Sequence, residues 1–76
     1  MTTLIEWVWN DPLQTWLWGN QNHGCGVFWD TCDLGEGWFA NLSAYSQVIS
    51  YGPFASPEIA KETATKELRQ LEVIYG

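Results

Sequence analysis

The sequence predicts an α+β fold: an antiparallel β-meander of three to five strands with one C-terminal helix packed on one face. Residues up to about 51 are dominated by Trp, Val, Ile, Thr, Phe and Tyr, which suit a pleated, half-buried surface. Turn residues interrupt that stretch roughly every ten positions, the spacing of a meander. After Ser56 the composition changes to Ala, Leu, Glu and Lys at helical spacing. With 76 residues the chain has room for one core, so residues 1–76 are expected to form a single domain, with the sheet over about 3–51 and the helix over about 57–72. An apolar fraction of 46%, including six Trp, is too rich for a disordered chain.

The first strand is expected over residues 3–9. Asn10-Asp11-Pro12-Leu13-Gln14 then makes a turn, with Pro12 at its second position after an Asp that closes the bend. Residues 15–19 return as the second strand. If Trp9 faces Trp16, antiparallel geometry sets Trp7 against Trp18, and all four indoles share one face while Val8 and Leu17 take the other. A polar loop at 20–24 leads to strands near 26–32 and 38–43, separated by an acidic turn at 33–37. A last strand is expected over 45–51. Ser56 is a good N-cap, Pro57 suits the first helical position, and Glu58 sits at the positive end of the helix dipole. Ile59, Ala60, Ala64, Leu68 and Leu71 form the apolar side, and 73–75 either adds a short strand or packs on the sheet.

The net charge of −6 is unevenly laid out: all three basic residues, Lys61, Lys66 and Arg69, lie in the helix. Residues 1–56 carry Glu6, Asp11, Asp30, Asp33 and Glu36 and no Lys or Arg. Direct nucleic-acid binding needs cations for phosphates, and an anionic membrane surface needs the same, so neither is expected as a ligand. The N-terminus has no basic start followed by an apolar run, and a cytoplasmic location follows as the default. Cys25 and Cys32 are expected as reduced thiols there, a disulfide between them being the alternative in an oxidising compartment.

Three groups of side chains merit a functional reading. The four indoles Trp7, Trp9, Trp16 and Trp18 are either core or an aromatic platform. A helix about 10 Å wide covers about two strands spaced about 4.8 Å apart, which leaves aromatic surface for a partner, a sugar or a homodimer seam. Asp30, Asp33 and Glu36 follow at intervals of three around a Gly-containing turn. They read as a solvated turn or as an acidic patch for a basic partner. As a Ca²⁺ or Mg²⁺ loop they lack the EF-hand pattern, and as a hydrolase pair they would need a cleft that so small a meander rarely offers. His23, Cys25 and Cys32 are one ligand short of a zinc site, and a Cys–His nucleophile pair is not implied by their spacing. No metal, cofactor or catalytic residue is assigned.

Gly37, Phe39, Ala40, Gly52, Ser56, Glu58, Ala60 and Ala64 lie in a strand–turn–helix passage that resembles antitoxins of the HicB type. The end of the chain also resembles double-stranded-RNA-binding domains, but Ser56-Pro57-Glu58 stands where that family has a basic cluster, so RNA binding is not implied. Small size, acidity and a sheet with one helix resemble the anti-CRISPR class of phage inhibitors. These resemblances imply a stoichiometric inhibitor, not an enzyme, that occupies the surface of a basic nucleic-acid-processing protein such as a nuclease, toxin or CRISPR effector subunit. Asp30, Asp33, Glu36, Trp7, Trp9, Trp16 and Trp18 are the expected contacts. A carbohydrate- or peptide-binding module using exposed Trp is the alternative, and a small hydrolase a more distant one.

Overall fold

The computed structural model describes residues 6–19, 23–33 and 35–75. Five strands, β1 (Val8–Asn10), β2 (Thr15–Gly19), β3 (Gly24–Cys32), β4 (Gly35–Ala44) and β5 (Gln47–Phe54), precede one helix, α1 (Pro57–Tyr75). Each strand pairs antiparallel with its neighbours in sequence, giving the sheet order β1-β2-β3-β4-β5. The α+β meander with one helix on one face is thus the observed architecture. Residues 3–5 of the expected first strand lie outside the described residues. The last strand runs Gln47–Phe54 rather than 45–51, because Tyr45 and Ser46 adopt φ of 51° and 63° and form the preceding turn.

The first turn closes as its residues dictate. The Gln14 amide donates to the Asp11 carbonyl at 3.1 Å and the Leu13 amide to Asn10 Oδ1 at 3.0 Å. Trp9 then lies opposite Trp16 and Val8 opposite Leu17. The same alternation continues through Trp16–Val27, Trp18–Cys25 and Trp29–Trp38, so all six indoles of the chain project from the helix side of the sheet.

The helix does not lie over the β1–β2 indoles. It packs on β3, β4 and β5, where Val27, Ala40, Leu42 and Ala44 are buried against Ala60, Ala64 and Leu68. Small side chains on both surfaces permit this close approach, whereas indoles would hold a helix away. Ser56 caps α1, its Oγ accepting from the Ile59 amide at 3.2 Å. Ile59, expected on the apolar side, is 44% exposed, because the buried line runs through Ala60, Ala64 and Leu68 and Ile59 lies about 100° round from Ala60. No strand forms at 73–75. Instead α1 continues to Tyr75, whose ring stacks on Tyr45 at 5.3 Å and whose hydroxyl accepts from Gln47 Nε2 at 3.1 Å.

Gly52 enforces the join between β4 and β5. Its φ is +132°, and a Cβ there would stand 2.7 Å from Phe39 Cδ1 and 2.8 Å from the Trp38 carbonyl. The register shifts between Trp38 and Ala40 beside it.

Antiparallel pairing of sequence neighbours places successive connections at alternate ends of the sheet. The β1–β2 turn, the β3–β4 turn and the β5–α1 link therefore share one end, and the start of α1 lies with them.

Candidate protein-interaction site

That shared end collects Asp11 in the first turn, Asp30, Asp33 and Glu36 in the β3–β4 hairpin, and Glu58 in the first turn of α1. The hairpin reaches beyond β2. Thr15 opposite Phe28 is the last β2–β3 pair, whereas β3 and β4 stay paired as far as Cys32 and Gly35. Acidic side chains are thus carried past the end of β2 on a β3–β4 ribbon flanked on its other side by Pro53 and Phe54.

The ribbon divides them. Asp30 pairs with Gly37 and leaves the helix-free face; Glu36 pairs with Thr31 and leaves the helix face with Trp38; Asp33 occupies the turn. The three carboxylates do not share one face. They surround the tip, and Asp30 and Glu36 do not converge on one cation or one scissile bond. All three are exposed, and the Asp30 carboxylate accepts from the Thr31 amide at 2.7 Å.

The indoles differ sharply in exposure. Trp18, expected among the partner contacts, is 7% exposed and belongs to the core, packed edge-on against Trp7 at 6.0 Å between centroids. Trp7 and Trp16 are half-buried, and Lys61 reaches across from α1 with Nζ 3.4 Å from the Trp16 centroid and 5.9 Å from that of Trp7. This cation–π contact joins the helix to the strands it does not cover. Trp9 leans on Trp16 at 5.2 Å and is 37% exposed, its Nε1 donating to Asp11 Oδ1 at 3.3 Å.

Trp29 is the most exposed tryptophan, at 53%, and sequence reasoning did not single it out. Its place becomes visible only through the β3–β4 register, which sets it opposite Trp38 and beyond the last residue of β2. Trp9 lies two strands away and one side-chain row back, roughly 12 Å between Cα atoms from strand spacing and rise. Both rings fit within one protein-sized footprint beside carboxylates; the strands contribute no Lys or Arg, and the cation nearest Trp9 is Lys61 of α1, held on the Trp16 ring.

His23, Cys25 and Cys32 are not brought together. Cys25 faces the helix and is buried, while Cys32 is exposed on the other face, seven residues along the same strand or roughly 23 Å away. A disulfide between them is excluded by that geometry. Burial pushes the Cys25 thiol from its ordinary 9.0 up to about 12, making it a poor nucleophile. His23 instead lies against the Tyr45 ring at 4.7 Å.

Compared with known protein families, curated proteins and solved structures, the chain matches none. Among the described residues no helix is long and apolar enough to cross a membrane.

Proposed function

We propose that this protein is a stoichiometric inhibitor that acts in the cytoplasm by docking its turn end onto a basic protein that handles nucleic acid. One observation carries the reading: two exposed indoles, Trp9 and Trp29, stand at the end that also bears Asp11, Asp30, Asp33, Glu36 and Glu58. The two features serve different steps. Large aromatic rings supply most of the energy of protein interfaces, while same-sign charge around them speeds encounter and selects a partner of opposite sign. A surface that engages phosphates is rich in Lys and Arg, and a carboxylate-ringed tip is complementary to such a surface. Trp18 plays no part in contact, and Trp7 and Trp16 support the site from beneath.

The test begins with capture of partners from the native host or a phage-infected lysate and ends with the purified partner. A recovered nuclease, toxin or CRISPR effector subunit should lose activity at a one-to-one ratio. Replacing Asp30, Asp33 and Glu36 together by Asn and Gln should slow association and flatten its salt dependence. Trp29→Ala should chiefly raise the dissociation rate. Recovery of acidic proteins alone, or binding indifferent to these changes, would refute the reading.

A further inference from the structure

The helix-free face of the sheet contains a hollow that the six indoles do not touch. Its volume is about 330 Å³, and Phe28, Phe39, Asp30, Asn41, Ser50 and Gly52 shape it. Alternation places Phe28, Asp30, Phe39, Asn41 and Ser50 on this face, and the pairs Phe28–Phe39 and Asn41–Ser50 bring them together. The two Phe rings stack with centroids 6.1 Å apart and an interplanar angle of 25°, forming an apolar floor. Gly52 keeps that floor open, since any Cβ there would strike the Phe39 ring. Ser50 Oγ donates to Asn41 Oδ1 at 2.7 Å, which fixes the amide at one side. Among the described residues of the lining, Asp30 alone carries a formal charge. Every Lys and Arg of the chain belongs to α1, on the opposite side of the sheet.

We infer that this hollow receives one arginine side chain of the protein partner. The guanidinium is planar and weakly hydrated, stacks on aromatic faces and pairs with carboxylates, and its aliphatic stem suits an apolar floor. A carboxylate beside stacked rings, with no internal cation on that face, offers each of these contacts. An anion would meet Asp30 at close range, and a neutral apolar group would displace water from that carboxylate and offer it nothing beyond the Thr31 amide it already holds. The inference rests on the proposal that the acidic end meets a basic protein, and it adds a second contact on the face away from Trp9 and Trp29.

The experiment follows backbone amide shifts of the intact ¹⁵N-labelled protein on addition of N-acetyl-Gly-Arg-Gly-amide. A single side chain should bind with a dissociation constant on the order of millimolar. Shifts are expected at Phe28, Asp30, Asn41, Ser50 and Gly52. Asp30→Asn should weaken binding at least about tenfold, while Glu62→Gln, which removes the same charge from an exposed helix position, should change it by less than about twofold. The citrulline peptide, equal in shape but uncharged, should not bind. Alkylating Cys32, which also lines the hollow, should block binding. Equal effects of Asp30→Asn and Glu62→Gln, equal binding of the citrulline peptide, or shifts confined to the indole side would overturn the assignment. The parent reading fails separately. A partner held through Trp9 and Trp29 but indifferent to Asp30→Asn, with no peptide binding, sinks the hollow alone. Specific peptide binding supports the hollow even if no basic partner is recovered.

Discussion

Replacing Lys61 by Met should destabilise the fold by about 1 kcal/mol, through loss of its cation–π contact with the indoles. Its ammonium lies 3.4 Å from the Trp16 centroid, in contact with the ring, and 5.9 Å from that of Trp7. Such contacts contribute about 0.5–1 kcal/mol when exposed and about 2 when desolvated, and Lys61 is half-buried between these limits. Met retains most of the aliphatic stem, so the change isolates the charge from the packing. In a domain of this size 1 kcal/mol corresponds to roughly 4–8 °C in Tm. Removing a cation also takes the net charge from −6 to −7, which adds self-repulsion. Lys66→Met supplies the control, because Lys66 is exposed and carries the same charge away from the Trp7 and Trp16 rings. The decisive measurement is a double-mutant cycle of Lys61→Met with Trp16→Leu, read by urea unfolding. A coupling energy below about 0.3 kcal/mol, or equal losses for Lys61→Met and Lys66→Met, would refute the view that this contact fastens α1 to β1 and β2.

Gly52→Ala should cost several kcal/mol, since it combines an unfavourable positive φ with a Cβ 2.7 Å from the Phe39 ring; calorimetry giving a loss under about 1 kcal/mol would show that the β4–β5 join relaxes. Ser56→Ala removes the acceptor for the Ile59 amide and should lower stability by about 0.5–2 kcal/mol, with Ser56→Asp restoring most of it. A thiol reagent should modify Cys32 quickly in the native protein and Cys25 only on unfolding; two equally fast thiols would contradict the packing. Because the folded pKa of Cys25 is raised from 9.0 to about 12, the unfolded chain releases that proton first, and stability falls as pH rises between those values. At pH 10 the loss relative to pH 8 should be about 1 kcal/mol, and Cys25→Ala should be free of it. Tyr51, whose hydroxyl is held above its ordinary 10.0 first by burial and then by the charge of Glu67, adds a loss of the same sign at higher pH.

The sequence by itself determined the elements whose causes are local. Asp11 and Pro12 define the first turn, alternation of Trp and aliphatic residues sets the Trp9–Trp16 pair, and Ser56 with Pro57 starts the helix. Each depends on neighbours a few residues apart, where backbone preference and side-chain hydrogen bonding suffice. The helix position was not legible in the same way. It follows from matching Ala60 and Ala64 with the small residues Ala40 and Ala44, and that choice decides which indoles are core and which are surface. The acidic site was half legible: composition located the carboxylates, but only the β3–β4 pairing sends Asp30 and Glu36 to opposite faces and carries Trp29 past the end of β2. The hollow was not legible at all. Phe28 and Phe39 stand far apart from Ser50 and Gly52 along the chain, and they meet because hydrogen-bonded register, not sequence distance, decides which side chains share a surface.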